Sequence, residues 1–183
     1  VISVEHAGTE HQHRIVQRGA FAFLNGVELA GDDLGSVDHG ADVINMSLGA
    51  YMDNKGWQKQ FAMLAKAVNW ARSQGCLVVS AGGNDAADLD HDQNWSVTPA
   101  QSGSGMAVSA TGPTGQVNFD GFACYSNYGV SVIDVAAPGG NFDCATGIPV
   151  VPIDMVVSTF SPRAHIALGW GGDPYTSLAL AAG

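Results

Sequence analysis

Positive charge is scarce in this sequence. Seven lysine and arginine residues stand against seventeen aspartate and glutamate residues, and the formal net charge is −10 at pH 7. Such a chain repels nucleic acid phosphates and anionic lipid headgroups, so we predict that it binds neither nucleic acid nor membranes. A membrane-spanning helix needs roughly 20 successive apolar residues, and the apolar segment at residues 147–160 is shorter and contains two prolines.

Cysteine is also scarce, with three residues in the whole sequence. Three cysteines cannot build the dense disulfide framework of a small secreted domain. Cys76 lies in an apolar stretch and is expected to behave as a small hydrophobic side chain. Cys124 and Cys144 then form the only candidate bridge, although sequence alone cannot place their Cα atoms within bridging distance.

Apolar residues are plentiful by comparison. Hydrophobic residues make up 46% of the sequence and charged residues 13%, so burial can offset the entropy that the chain loses on folding. A length of 183 residues suits one hydrophobic core. We therefore predict a single domain over residues 1–183.

Two buried strands and a helix are predicted in the middle of the chain. Residues 41–49, ADVINMSLG, suit a buried strand that ends at Gly49. After a polar loop, apolar residues at helical spacing over residues 57–75 predict an amphipathic helix that stops at Gly75. Residues 75–85, GCLVVSAGGND, predict a second buried strand. Strand, helix and strand in this order are typical of neighbouring parallel strands.

Residues 105–110 and 130–139 are two further strand candidates, each followed by a glycine or proline turn. We therefore predict a three-layer α/β/α fold with a mainly parallel sheet of at least four strands. Ligands of such sheets bind beyond the carboxyl ends of the strands.

Two of these strand ends are Ser47-Leu48-Gly49 and Ala81-Gly82-Gly83-Asn84, which should lie at the same edge of the sheet. A glycine-rich strand end can cradle a phosphate, but the sequence contains neither GxGxxG nor GxxxxGK[ST]. The aspartates after Asn84 would also repel phosphate, so a nucleotide site is disfavoured.

Five motifs resemble those of the subtilisin-like serine peptidases in order and approximate spacing. They are GADVINMSLG, VVSAGGND, TPA before GMAVSATG, YSNYG, and VIDVAAPGG, and together they cover roughly residues 40 to 160. The resemblance implies a subtilisin-like fold and hydrolysis of peptide bonds by a serine nucleophile, a histidine base and an orienting carboxylate.

The resemblance gives Asn84 the role of oxyanion donor, with Ala81, Gly82 and Gly83 beside it in the substrate site. The alternative is that Asn84 only tolerates a left-handed turn after two glycines. By the same resemblance, Ser47, Leu48 and Gly49 pair with an extended substrate peptide and line the pocket for the residue before the cut. An ordinary strand-to-loop turn is the alternative for these three.

The nucleophile is placed at Ser177. The serine loop of the family reads roughly GTSMAAPHVAG, and this sequence ends DPYTSLALAAG. Aligning TSLA with TSMA makes Ser177 the nucleophile, followed by a shortened helix start. Aligning the final AAG instead places Tyr175 at the serine position and leaves no nucleophile.

The base is placed at His13, because residues 13–25 line up without gaps with the histidine-bearing helix of the family. His6 is a rival, since residues 6–11 contain the letters of the same motif with insertions. Glu5 occupies the place of the orienting aspartate, and its extra methylene shifts the carboxylate by about 1.5 Å. The spacing from Glu5 to His13 is short, and we expect a domain shortened at both ends.

No metal is expected in the chemistry. The acidic run Asp85, Asp88, Asp90 and Asp92 could hold a structural calcium ion, because hard oxygen ligands suit that ion and relatives bind it. The alternative is a solvated acidic loop.

The sequence therefore predicts a serine endopeptidase that binds peptide or protein substrates as an extended strand and cleaves them through an acyl-enzyme. A catalytically inactive relative that only binds peptides is the alternative. The resemblance also implies a secreted monomer, and we expect any export signal to have been removed or to lie outside this sequence.

Overall fold

The computed structural model describes residues 15–17, 36–38, 40–92, 94–148, 150–159 and 178–181. The chain forms two compact units, of which unit 1 comprises Val1–Ser109 and Asn127–Ala136, and unit 2 comprises Ala110–Ser126 and Ala137–Gly183. That grouping leaves the single-domain expectation as a prediction.

A five-stranded sheet organises the described residues, in the spatial order β1-β2-β4-β6-β7. The pairs β1–β2, β2–β4 and β4–β6 are parallel. This confirms the predicted α/β class and its mainly parallel sheet of at least four strands. The strands are β1 (Ile15–Gln17), β2 (Val43–Met46), β4 (Leu77–Ala81), β6 (Met106–Thr111) and β7 (Val135–Pro138).

Helix α1 (Gln58–Ser73) lies between β2 and β4 in the chain, as predicted. Its end is a Schellman motif, because the N–H of Cys76 donates to the Ala71 carbonyl and the N–H of Gly75 donates to the Arg72 carbonyl. Gly75 has φ +86°, a left-handed conformation that glycine adopts at little cost. The predicted stop at Gly75 is therefore confirmed.

The core of unit 1 packs α1 against the sheet. Val68 and Ala71 of the helix are buried in one cluster with Ile44, Met46, Leu48, Val78 and Cys76. Cys76 is a free thiol that is 2% exposed, and it behaves as the expected small hydrophobic side chain. Trp57, which precedes the helix, is instead half exposed.

Two short strands were not predicted. β3 (Ala50–Asp53) pairs antiparallel with β5 (Trp95–Thr98) in a separate two-stranded sheet. The sequence analysis assigned residues 50–56 to a polar loop, because four residues without clear alternation carry little local signal. The partner strand lies more than 40 residues further along the chain, and it supplies the backbone hydrogen bonds that define β3.

Two other local expectations were wrong, and a third was confirmed only in part. Only residues 135–138 of the expected strand at 130–139 are extended. Residues 15–17, which align with the histidine-bearing helix of the family, form β1 because Ile15 and Val16 are β-branched and pair with β2. The expected helix start after Ser177 is instead β9 (Leu178–Ala181), because these residues pair antiparallel with residues 156–159.

Unit 2 contains an antiparallel pair and a disulfide. β8 (Val156–Thr159) pairs with β9, and a short 3₁₀ turn (Pro152–Asp154) precedes β8. Cys124 and Cys144 are bonded, with 6.1 Å between their Cα atoms. The candidate bridge of the sequence analysis is therefore present.

Asp154 is a buried carboxylate of unit 2 and is 1% exposed. Its two oxygens accept hydrogen bonds from the N–H groups of Gly115, Gln116 and Val151 and from the Gln116 side-chain amide. The pKa of this carboxyl lies below its usual range. Burial is the largest effect and raises the pKa, but the four hydrogen bonds together outweigh it.

Within the part of the chain that the structure describes, no helix combines the length and the apolar character that crossing a membrane requires.

Replacing both Cys124 and Cys144 by serine is expected to lower the free energy of unfolding by about 3 kcal/mol. The reason is that the bridge joins residues with a sequence separation of 20 and so closes a loop in the unfolded chain. Urea unfolding followed by circular dichroism measures the loss. Dithiothreitol should destabilise the wild type by a similar amount and leave the double variant unchanged. An equal effect of dithiothreitol on both proteins would contradict the assignment.

Asp154→Asn is expected to lower the free energy of unfolding at pH 7. The difference in stability from the wild type should disappear in acid. The folded-state pKa lies below the unfolded one, so the carboxylate contributes stability that is full above pH 3.8 and is lost as the pH falls through the folded-state value. Urea unfolding between about pH 7 and pH 2 checks this, with the exposed Asp120→Asn as a charge control. A stability gap that is independent of pH would refute it.

Candidate active site

Two loops of unit 1 meet at the carboxyl edge of the sheet. Met46 pairs with Ser80 in the parallel register of β2 and β4, so residues 47–49 and 82–84 leave the sheet beside each other. The sequence analysis expected these two segments at one edge, and the structure confirms it.

The segment Ser47-Leu48-Gly49 is anchored by its central residue. Leu48 is 7% exposed and belongs to the core cluster, whereas Ser47 is exposed and its hydroxyl accepts a hydrogen bond from the Asn45 amide at 3.1 Å. Gly49 faces the backbone of Thr98, whose carbonyl oxygen would lie 3.4 Å from a Cβ at that position. The segment is therefore fixed at its centre and open at Ser47.

The Asn84 loop, which we define as residues 82–87, begins directly after Ala81 at the end of β4. The N–H of Gly82 donates to the Val108 carbonyl at 2.8 Å, and a Cβ at Gly82 would lie 2.9 Å from Ile133 Cδ1. Gly83 has φ +105°. Both glycines are thus required, the first by close packing and the second by its backbone conformation.

The Asn84 side chain is exposed at this edge. Among the described residues, none forms a hydrogen bond with its amide group. An amide that these described residues leave unengaged can donate to a ligand oxygen, which is the property that an oxyanion donor requires.

Asn127 lies beneath the loop and is 0% exposed. Its side-chain oxygen accepts hydrogen bonds from the N–H groups of Asp85 at 3.0 Å and Ala87 at 2.9 Å. Its side-chain nitrogen donates to the Gly82 carbonyl at 2.9 Å. The Asn84 loop is therefore held on both sides of Asn84 by one buried amide.

Tyr51 of β3 extends this network. Its hydroxyl accepts a hydrogen bond from Asn127 Nδ2 at 2.8 Å and is hydrogen-bonded to the Asp85 side chain. Burial raises the pKa of Tyr51 to about 12, with the negative charges of Asp85 and Asp92 adding to the rise. Tyr51 therefore remains a neutral hydrogen-bond donor at physiological pH.

The carboxylates of the acidic run after Asn84 are largely engaged by hydrogen bonds within the protein. Asp90 accepts hydrogen bonds from the N–H groups of Val130 and Ser131, and Asp92 accepts from Asn94 and Trp95. Asp88 faces the exposed His91 at 2.8 Å. Within the described ranges, no three histidine, cysteine, aspartate or glutamate side chains converge as metal ligands. A structural calcium ion remains a prediction.

The remaining predicted catalytic residues, Ser177, His13 and Glu5, lie outside the described residues, as do the rivals His6 and Tyr175. The structure thus describes the oxyanion side and the substrate-strand side of the predicted site.

Two residues of this site were missed from the sequence. Asn127 belongs to the YSNYG motif, which identified the family resemblance but received no role. An asparagine between small and aromatic residues, in a segment with turn character, was the available signal. Tyr51 gave none, because its role depends on the unpredicted strand β3.

Comparisons with known proteins agree with this geometry. The Subtilase family model, peptidase S8, matches residues 21–169. Thermitase of Thermoactinomyces vulgaris is 36% identical over 118 residues, which cover 64% of this chain and 33% of thermitase. An extracellular protease of Xanthomonas campestris pv. campestris is 39% identical over 101 residues, which cover 55% of this chain and 14% of that protein.

The fold has a similar counterpart among solved structures. A lanthipeptide protease superposes with a TM-score of 0.69 at 23% identity, over 87% of this chain and 46% of the other. This likeness shows the subtilisin-like fold. The chain spans about a third of the length of thermitase and a smaller share of the Xanthomonas protease. The family model, however, matches most of this chain. The chain therefore belongs to the subtilase family of serine peptidases.

Proposed function

We propose that this chain is the peptidase domain, or part of one, of a serine endopeptidase that cleaves peptide bonds through an acyl-enzyme. The observation that carries the proposal is the exposed Asn84 amide on an immobilised loop beside Ser47-Leu48-Gly49. Relatives that are named as proteases support it.

The proposed reaction begins when Ser177 Oγ attacks the scissile carbonyl carbon while His13 accepts the hydroxyl proton. Glu5 orients the imidazole and stabilises its positive charge. The carbonyl oxygen becomes an oxyanion, and Asn84 Nδ2 donates a hydrogen bond to it. His13 then transfers its proton to the leaving amine. In the second step water attacks the acyl carbon while His13 accepts a proton from it, and His13 returns that proton to Ser177 Oγ as the acid product leaves.

The proposed substrate is an extended segment of a peptide or protein. Residues 47–49 would pair with its backbone, and Ala81, Gly82 and Gly83 would lie beside the residue before the cut. Main-chain hydrogen bonds do not depend on side chains, so pairing of this kind admits many sequences. Selectivity then comes from the pockets for individual side chains.

The proposed chemistry needs no cofactor, because serine, histidine and a carboxylate supply the nucleophile, the base and its orientation. We propose that any bound calcium is structural. We propose that the protein acts outside the cell, which fits the name of the Xanthomonas relative. We also propose that it is a monomer, because a large net negative charge disfavours association.

A fluorophosphonate probe is expected to label the folded protein covalently at Ser177, because the activated hydroxyl attacks phosphorus and displaces fluoride. Mass spectrometry of a peptide digest locates the label, and Ser177→Ala is the control without a nucleophile. Absence of labelling in folded wild type would exclude the active enzyme and leave the peptide-binding alternative. Labelling of another serine would refute the assignment of Ser177.

Asn84→Ala is expected to lower kcat by about 10²–10³-fold with little change in KM, the scale measured for loss of this donor in a subtilisin. The oxyanion exists only after the serine has attacked, so the lost hydrogen bond affects the transition state and not substrate binding. Steady-state kinetics on a chromogenic peptide measure both constants. The exposed Asn94→Ala, outside the loop, is the matched control, and an unchanged kcat in Asn84→Ala would contradict the role.

A further inference from the structure

We infer that Asn127 is the positioning residue of the oxyanion site: its buried side-chain amide fixes the loop that presents Asn84. The inference rests on the proposed function, because it assigns to Asn127 the control of a catalytic donor. Asn127 is not expected to contact the substrate, since it is 0% exposed.

The orientation of the Asn127 amide is determined by its neighbours. The N–H groups of Asp85 and Ala87 can only donate, so the oxygen must face them. The Gly82 carbonyl can only accept, so the nitrogen must face it. Tyr51 takes the second amide hydrogen. Both hydrogens and both lone pairs of the amide are thereby used, and turning the group over would break the contacts to the loop.

These bonds bracket Asn84 along the chain. The backbone N–H of Asn127 adds a hydrogen bond to the Gly83 carbonyl at 2.9 Å, so residues on both sides of Asn84 are tied to Asn127. A side chain at Gly83 would clash with the Asn127 amide. The loop is therefore wrapped closely around one buried group, while the Asn84 side chain is exposed and hydrogen-bonds to none of the residues that the structure describes.

Such rigidity matters because an oxyanion donor acts through preorganisation. A donor already in position needs no reorganisation when the charge develops. A displacement of about 1 Å can reduce the rate by about 10²-fold. Loss of the Asn127 amide would also leave the Gly82 carbonyl and two N–H groups without this partner, so the loop would move to recover hydrogen bonds to water.

The test compares Asn127→Leu with Asn141→Leu. Leucine has a similar volume and no hydrogen-bonding atoms. Asn141 is the matched control, because it is 5% exposed and lies in unit 2. Its side-chain oxygen also accepts hydrogen bonds from backbone N–H groups, and its side-chain nitrogen also donates to a backbone carbonyl. Both variants should lose stability. Only Asn127→Leu should show a lower kcat, by about 10²-fold, with KM nearly unchanged. The kcat values are calculated from the concentration of active sites that titration measures.

A double variant separates positioning from a general structural effect. In an Asn84→Ala background there is no donor to position, so Asn127→Leu should cause little further loss of kcat. Multiplicative losses in the double variant would overturn the inference. If Asn127→Leu does not fold, Asn127→Asp replaces it, because aspartate keeps the acceptor for Asp85 and Ala87 and removes the donor to Gly82. A smaller loss of kcat is expected from it, and an unchanged kcat would overturn the inference.

Hydrogen exchange tests the inference without catalysis. The amides of Asp85 and Ala87 should exchange faster in Asn127→Leu than in wild type, whereas those of β2 and β4 should keep their rates. In Asn127→Asp they should stay protected. If the wild type cleaves no peptide, the proposed function fails while this measurement still decides whether Asn127 fixes the loop. Unchanged protection of Asp85 and Ala87 in folded Asn127→Leu would refute it.

Discussion

Parallel pairing between β2 and β4 is the constraint on which the candidate site depends. Neighbouring parallel strands end at the same edge, so the residues after Met46 and after Ala81 must leave the sheet together. A one-residue change of register would turn every side chain of a strand to the opposite face and remove Ile44 and Met46 from the core. The apolar core under α1 therefore fixes the position of residues 47–49 relative to the Asn84 loop.

A second constraint acts within the Asn84 loop, where backbone groups must find partners away from water. Unpaired buried polar groups cost about 1–3 kcal/mol each, and Asn127 satisfies several of them with one side chain. The glycines make this arrangement possible, because Gly82 and Gly83 leave no room for a Cβ. In the proposed site, stability and catalysis are thus coupled, since the hydrogen bonds that complete the fold also hold the proposed oxyanion donor, Asn84, in place.

The sequence predicted the elements whose signals are local. Strands β2 and β4 and helix α1 each carry a continuous apolar pattern and a glycine at the end, and all three are present. Strand β3 was missed because its pairing partner is distant in the chain. The helices expected near His13 and after Ser177 were inferred by alignment to a family pattern, and pairing with a neighbouring strand prevailed at both places.

The residues of the candidate site also divide into those with a local sequence signal and those whose role depends on distant contacts. Asn84 and residues 47–49 were found from motifs, because the family pattern is continuous around them. Asn127 was not given a role, since the groups of the Asn84 loop that it binds lie 40 to 45 residues away and only the folded chain brings them to it. A hydrogen-bonding partner of this kind cannot be read from spacing, whereas a strand or a helix end can.

A crystal structure of the protein with a peptide boronic acid tests the central claim most directly, because boron forms a tetrahedral adduct with an activated serine. The account predicts a covalent bond from boron to Ser177 Oγ, with one boronate oxygen about 2.7–3.1 Å from Asn84 Nδ2. The peptide part should pair with residues 47–49. An adduct on another residue, or a boronate oxygen that points away from Asn84, would contradict the account.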